Sequence, residues 1–310
     1  MISVVIPVFN EEESLEVFYA SLVKELPKLD KDYEIIFIDD GSTDSSLDIL
    51  KTLAKKHVFV RVFSFRKNIG KAEALSLGFN KAKGEYIVSL DADLQDLPEE
   101  IGKLLTRAKD GVDLVNGWRK NRKDTSQMVI ISKIFNLVVS KLFQLNIHDY
   151  NCGLKVYRSE VVKKLRLYGG LHRFIPLLVA EQGFIVDEVI VVHEERKFGK
   201  SKYGFSKLWK DLPDVFTMLF LVKYGKRPLH FFGTFGGLLF VIGFSVFLYL
   251  SILWLGGQSI GGRPLLLFST LLMLAGLQVF FTGFLAELII DISHKGERDF
   301  PIKYSSDTDA

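Results

Sequence analysis

The chain reads as an α/β domain followed by a membrane-spanning tail, and three features of its pattern say so. Through the first half, short apolar runs alternate with segments that are polar on one face, the rhythm of strand and helix in a parallel sheet. Two long uncharged runs lie near the end of the chain. With 48% apolar residues among 310, the first two-thirds can fill a core and still leave a hydrophobic tail.

Taken in order, Ile2–Val8, Tyr33–Ile38, Val60–Phe65, Tyr86–Leu90 and Leu114–Asn116 are the expected strands. Helices are expected between them at Glu11–Glu25, Ser45–Lys56, Lys71–Lys81 and Pro98–Ala108, with Asp44 and Ser45 as an N-cap for the second. Further on come a strand at Gly153–Tyr157, a helix at Ile175–Gln182 and strands near Ile185–Val192. Past Gly204, Leu208, Leu212, Val215, Leu219 and Val222 recur at helical spacing, and Pro213 divides the segment into two helices. Its place just before an apolar span predicts helices lying in the membrane interface.

No Asp, Glu, Lys or Arg occurs from Pro228 to Gly262 or from Leu265 to Ala286. At 1.5 Å per residue each run covers the roughly 30 Å of bilayer hydrocarbon, which predicts spans near Phe231–Leu255 and Leu265–Ala286. The link Gly256–Pro264 carries only Arg263, whereas the outer flanks carry Lys223, Lys226, Arg227, Lys295, Arg298 and Lys303. By the positive-inside rule both flanks face the cytosol. The expected boundaries are a cytosolic domain at 1–204, interfacial helices at 205–228, a hairpin at 229–292 and a cytosolic tail at 293–310. The start, Met1-Ile2-Ser3-Val4-Val5-Ile6-Pro7, reads as a strand and not as a signal peptide, so insertion is expected from the C-terminal helices.

A net charge of +3, with the basic residues gathered at the membrane flank, points to anionic headgroups and away from nucleic acid. Cys152 is the only cysteine, which excludes an internal disulfide and fits a reducing compartment. Gly-x-Gly-x-x-Gly does not follow the first strand and no Gly-x-x-x-x-Gly-Lys occurs, so a dinucleotide fold and a P-loop lose their main support.

Ligands of open α/β sheets bind beyond the carboxyl ends of the strands, here Pro7–Glu11, Asp39–Ser42 and Asp91–Gln95. Asp91-Ala92-Asp93, at the end of an apolar run and followed by Gln95, delivers two carboxylates on alternate residues to the sheet's rim. That is a hard oxygen site, suited to Mg²⁺ or Mn²⁺ carrying a diphosphate. Asp40 and Glu11 offer acceptors for ribose hydroxyls or a base N–H, and Phe9 a flat face for stacking. Asp39 is expected to shape the turn, because Asp-Asp-Gly-Ser is turn chemistry by itself.

Val5-Ile6-Pro7-Val8-Phe9-Asn10-Glu11, Ile38-Asp39-Asp40-Gly41-Ser42-Thr43-Asp44 and Asp91-Ala92-Asp93-Leu94-Gln95, in this order, closely resemble glycosyltransferase family 2. His148-Asp149-Tyr150-Asn151-Cys152-Gly153-Leu154-Lys155, Arg196-Lys197-Phe198-Gly199-Lys200-Ser201-Lys202-Tyr203 and two C-terminal spans narrow the resemblance. The match is to polyprenyl-phosphate glycosyltransferases, a group that includes dolichol-phosphate mannose synthases and bacterial undecaprenyl-phosphate glucosyltransferases. It implies a GT-A-type nucleotide-sugar-binding sheet and an inverting transfer from a nucleotide sugar to a lipid phosphate, with UDP-glucose as the expected donor. The expected location is a bacterial cytoplasmic membrane, with both termini in the cytosol and a homo-oligomer, plausibly a tetramer.

Residue by residue, the resemblance puts Pro7, Phe9, Glu11, Asp40 and Ala92 around the donor. Asp91, Asp93 and Gln95 fall at the metal and diphosphate, and Asp149 near the acceptor phosphate. Arg196 and Lys202, on a loop with Gly199 and Gly204, would neutralise the departing diphosphate. A lipid phosphate is already largely dianionic at neutral pH, so Asp149 is expected to orient and not to deprotonate. The family often has an arginine four residues before the serine matching Ser132, and here that position is Met128. Acceptor binding then falls to Arg119, Arg122, Lys123 or Lys133, beside Ser132.

Two other readings compete. A processive polysaccharide synthase is expected to carry a Gln-x-x-Arg-Trp motif and more spans, and this chain has neither. A binding module without chemistry would have little need of both Asp91 and Asp93 or of the basic loop. His148, His172 and His193 read as structural, Cys152 as packing, and Glu287 as an interfacial carboxylate. Gly233, Gly236, Gly237 and Gly243 suit close packing of the first span on a neighbour.

Overall fold

The computed structural model describes residues 1–123, 126–195, 217–218, 220, 222–225 and 227–293. The chain divides into two compact units, Met1–Val215 and Phe216–Ala310. Arg196, Lys202 and most of the segment expected to lie in the interface fall outside the described residues, as does the tail from 294.

The first unit is built on strands β1 (Ile2–Val8), β2 (Tyr33–Asp39), β3 (Val60–Ser64), β4 (Tyr86–Ser89), β5 (Leu114–Trp118), β6 (Lys155–Arg158) and β7 (Val186–Ile190). They form one sheet in the order β3-β2-β1-β4-β6-β5-β7. Alternation explains its two cores. Val4, Ile6 and Val8 of β1, with Ile35 and Phe37 of β2, pack on one face, and Val5, Ile36 and Ile38 on the other. The first face is covered by α1 (Leu15–Leu29), α2 (Ser46–Lys56) and α4 (Ile101–Lys109). The second is covered by α3 (Lys71–Lys81), α6 (Ser159–Lys164) and α7 (Ile175–Glu181). The expected cap of α2 is made by Asp44, whose Oδ1 accepts the Ser46 N–H at 3.0 Å, while Ser45 makes no side-chain cap.

Two features depart from the sequence reading. The expected all-parallel sheet is mixed, because β6 runs antiparallel to both β4 and β5. An antiparallel strand begins where its neighbours end, so the loop leading into β6 arrives at the carboxyl rim beside Asp91. The second is α5 (Ser126–Phe143), a helix the sequence reading did not place. It ends just before the loop that carries Asp149.

The second unit contains α8 (Pro228–Leu255) and α9 (Pro264–Ser293), both long and apolar enough to cross a membrane. Only 11% of the most apolar window of each is buried, unlike the core helix of a soluble protein. The two pack on each other through glycine: a Cβ on Gly276 would stand 2.6 Å from the Gly236 carbonyl oxygen. Gly236 and Gly243 thus serve contact within one chain, whereas nothing lies within 4 Å of a Cβ at Gly237. Glu287, read from the sequence as an interfacial carboxylate, accepts the Leu229 N–H at 3.2 Å and so caps the start of α8.

Candidate functional site

Three strand ends and one strand start converge at the rim. After β1, Pro7 and Phe9 are half-buried, and the Glu11 carboxylate accepts the Ser14 hydroxyl at 3.1 Å. After β2, Asp39 is fully buried, accepting the Ser42 N–H at 3.1 Å and the Ser64 hydroxyl at 2.6 Å. This is the turn-forming role the sequence suggests.

Asp40, expected beside the nucleoside, is held by its own chain. Its carboxylate accepts Asn68 Nδ2 at 3.0 Å, the Ile69 N–H at 2.8 Å and the Gly70 N–H at 3.0 Å, and it is 4% exposed. A carboxylate offers about four acceptor positions, and this one spends them on its own chain. Asp40 therefore fixes the Asn68–Gly70 loop, which opens α3.

The first residue of α3 is Lys71, whose Nζ lies 2.6 Å from Asp91 Oδ1 and 2.7 Å from Oδ2. Burial works to raise the Asp91 pKa, but the charge and hydrogen bond of Lys71 outweigh it and hold the carboxyl below its ordinary range. Leu94, in left-handed backbone at φ 62°, turns the chain so that Asp93 Oδ1 accepts the Gln95 N–H at 3.2 Å. Asp91, Asp93 and Gln95 are partly exposed and Ala92 is buried.

Among the described residues no cluster of three or more His, Cys, Asp or Glu encloses a cation. Two carboxylates and an amide at an open rim suit Mg²⁺ or Mn²⁺ that brings its remaining oxygens from a diphosphate. The donor set fits such an ion. Asp91, Asp93 and Gln95 would hold it, and the ion would supply charge to the leaving phosphate.

The loop into β6 meets this rim at Gly153. A Cβ there would stand 2.6 Å from Asp91 Oδ2 and 2.8 Å from Asp96 Oδ2, so only glycine lets the strand pass. Asp149, 2% exposed, takes Arg119 in a two-point grip, Nε to Oδ2 at 2.7 Å and Nη2 to Oδ1 at 3.0 Å. Burial pushes Asp149 up and the Arg119 charge more than reverses it, leaving the carboxyl below its usual range and the guanidinium well above its own. A carboxylate so held is a poor proton acceptor and a good clamp.

Arg119, one of the four expected acceptor cations, is therefore committed to Asp149. Arg122 and Ser132 are brought together, Nη1 donating to Oγ at 2.6 Å, whereas Lys123 pairs with Glu194 at 2.8 Å and Lys133 is exposed.

Sequence reasoning missed Lys71 and Lys155. Lys155 is 3% exposed, its ammonium donates to the Cys152 carbonyl, and burial lowers its pKa to about 8. Both line a small recess with Ser89, Asp91, Tyr157 and His172. Burial, then the charges of Lys71 and Arg173, depress His172 to about 3, so its imidazole is neutral. A signal for Lys71 was available: a lysine at the first position of a helix opposes the helix dipole and invites a search for its anion.

The chain matches the model described as glycosyl transferase family 2 over residues 3–166. It is 35% identical over 301 residues to the dodecaprenyl-phosphate galacturonate synthase of Rhizobium johnstonii, covering 93% of this chain and 87% of that protein. It is likewise 35% identical over 293 residues to the undecaprenyl-phosphate 4-deoxy-4-formamido-L-arabinose transferase of Proteus mirabilis, covering 93% and 88%. Among solved structures, glucosyl-3-phosphoglycerate synthase from Mycobacterium tuberculosis, in complex with Mn²⁺ and UDP-glucose, matches with a TM-score of 0.54 at 19% identity. That match covers 72% of this chain and 78% of the other, and it shows a shared GT-A-like fold.

Proposed function

The chain belongs to glycosyl transferase family 2, and we infer that it is a glycosyltransferase acting on polyprenyl phosphate. One observation carries the reading of its site. The antiparallel entry of β6 sets the Asp149–Arg119 clamp and Gly153 against the strand end that bears Asp91 and Asp93. An acidic rim suited to a metal–diphosphate thus adjoins a basic cluster suited to a second phosphate.

The proposed reaction is an inverting displacement, in which a lipid phosphate oxygen forms a bond to the anomeric carbon and the nucleoside diphosphate leaves. The leaving charge would be met by a divalent cation at Asp91, Asp93 and Gln95, and by Arg196 and Lys202. Asp149 would position Arg119, and Arg122 with Ser132 would face the acceptor phosphate. The donor pocket is assigned to Pro7, Phe9, Glu11 and Ala92, with Asp40 shaping its wall.

For the sugar, the relatives favour a uronate or a 4-formamido pentose over the glucose of the sequence reading. The two lysines of the recess, Lys71 and Lys155, do not discriminate, since a diphosphate alone accounts for them. A cytosolic catalytic unit follows from the lysines and arginines flanking the spans. A homo-oligomer rests on the family resemblance only.

Nucleoside diphosphate release by the purified full chain with undecaprenyl phosphate and Mn²⁺ tests the reaction. UDP-galacturonate, UDP-4-deoxy-4-formamido-L-arabinose and UDP-glucose, run in parallel with mass analysis of the lipid product, test the sugar. Release that does not depend on the lipid phosphate would overturn the acceptor assignment.

A further inference from the structure

A lipid acceptor requires that some part of the first unit meet the membrane surface, and the exposed side chains single out one candidate. α5 has eighteen residues, contains no Asp or Glu, and turns only part of its surface inward. Asn136 and Val139 are buried, and Phe135 packs on Phe174 with ring centroids 5.6 Å apart. The opposite side shows Leu137 at 57%, Val138 at 43% and Leu142 at 36% exposure. At 100° per residue these three share one half of the helix with Lys133 and Lys141, which are also exposed. No other described helix of this unit exposes three large apolar residues.

An exposed half-helix of leucine and valine threaded with lysine, and lacking any acid, is the pattern of a segment lying on anionic lipid. The stems of Lys133 and Lys141 can run along the apolar surface while their ammonium groups reach lipid phosphates. The same helix carries Ser132, which accepts from Arg122 in the cluster assigned to the acceptor phosphate. We propose that the outward half of α5 docks on an anionic bilayer surface, with Leu137, Val138 and Leu142 entering the acyl boundary. Docking would hold the acceptor cluster at the depth where a lipid phosphate lies. The proposal rests on the polyprenyl-phosphate reading, but its main test uses neither donor nor acceptor, so either can fail while the other stands.

Because Cys152 is buried, Leu142→Cys can be labelled selectively with bimane on the full chain in vesicles of phosphatidylglycerol and phosphatidylethanolamine. Val58→Cys, at a fully exposed position before β3 on the amino edge of the sheet, is the control. The Leu142 label is expected to be quenched by brominated acyl chains and spared by iodide in the water, with the reverse at Val58. Exchanging phosphatidylglycerol for phosphatidylcholine should weaken the acyl-chain quenching. Quenching of the Leu142 label by iodide alone overturns the proposal. Shielding from both quenchers also overturns it, since protein would then cover the face. Val138→Cys replaces Leu142→Cys if that variant does not fold.

In turnover assays, Leu137→Glu/Leu142→Glu should lower kcat/KM about tenfold for undecaprenyl phosphate in vesicles, because the apolar anchor is lost. It should leave a short, water-soluble prenyl phosphate unaffected. Equal loss on both substrates overturns the docking role.

Discussion

Two acidic pairs sit at strand ends on either side of β1 and do opposite work. Asp39, the last residue of β2, and Asp40, which follows it, are buried and saturated by their own chain. Asp91 and Asp93, on alternate residues after β4, stay partly exposed, and Asp91 is met by one movable ammonium. Placement explains the split. Asp39 still belongs to β2 and Asp40 to the turn after it, so each is taken up by a different loop, whereas Asp91 and Asp93 both lie beyond β4 on the open rim. The pairs are also linked in series, because Asp40 fixes the loop that starts α3 and α3 presents Lys71 to Asp91. One pair holds up the other.

The sharpest way to break this contrast is to remove one acid from each pair. Asp91→Ala should lower turnover by about 10³-fold or more, the scale of losing a group that holds charge-stabilising metal, and should abolish Mn²⁺ binding measured without substrate. Its melting temperature should stay close to that of the wild type, since a partly exposed ion pair contributes little to stability. If Asp39→Ala proved as inactive yet equally stable, the division of labour would be wrong.

Next in size is Asp149→Asn, a test of whether the buried acid beside Arg119 belongs with the structural pair. Leaving a buried guanidinium without its carboxylate costs about 3–5 kcal/mol, to be read by denaturant unfolding. The wild-type Asp149 carboxyl is held below its usual range, so its contribution is present above the unfolded value near 4 and disappears as pH falls through the folded one. Stability from this pair should therefore be level from pH 8 to about 5. Activity lost in Asp149→Asn should not return when the pH is raised. A rescue at high pH would restore the base role.

Much of this arrangement could be read from the sequence, and the failures have physical reasons. Strand positions and the Asp91-x-Asp93 rim follow from local alternation, which a sequence displays directly. The direction of β6 does not, since Lys-Val-Tyr-Arg suits either pairing and only its neighbours decide. α5 escaped because Met128–Ile131 is an unbroken apolar run and the polar residues around it, Ser126, Gln127, Ser132 and Lys133, do not gather on one helical face. The Asp149–Arg119 and Lys71–Asp91 pairs join residues thirty and twenty positions apart, and no local pattern reports them. The loop partners of Asp40 were equally hidden, because an acid that accepts a nucleoside and one that accepts its own loop are chemically the same residue.

A smaller effect separates the two acids of the structural pair. Asp40→Asn should destabilise by about 1–3 kcal/mol, as backbone donors of Ile69 and Gly70 lose a charged acceptor. It should also raise KM for the donor, because Lys71 is carried by the loop it anchors. Chemical denaturation and initial rates read the two effects, and an unchanged KM would cut the proposed series connection between the pairs.

The mildest test concerns Lys155, which lies in the recess beside Asp91 but is not part of either pair. Burial depresses its pKa to about 8, against about 10.4 in an unfolded chain. At this site the unfolded state therefore binds more protons between these values, and the contribution of Lys155 to stability rises with pH across that window. Two and a half units correspond to roughly 3 kcal/mol at most, because each unit is about 1.4 kcal/mol. Cys152, whose thiol is pushed up by burial, works in the opposite sense above about pH 9, so the Lys155 contribution is read as the difference between wild type and variant. The stability difference between wild type and Lys155→Met should therefore shift in favour of the wild type from pH 8 to about 10. Equal slopes would mean that the buried lysine keeps an ordinary pKa, with the Cys152 carbonyl and the rim carboxylates fully compensating its burial.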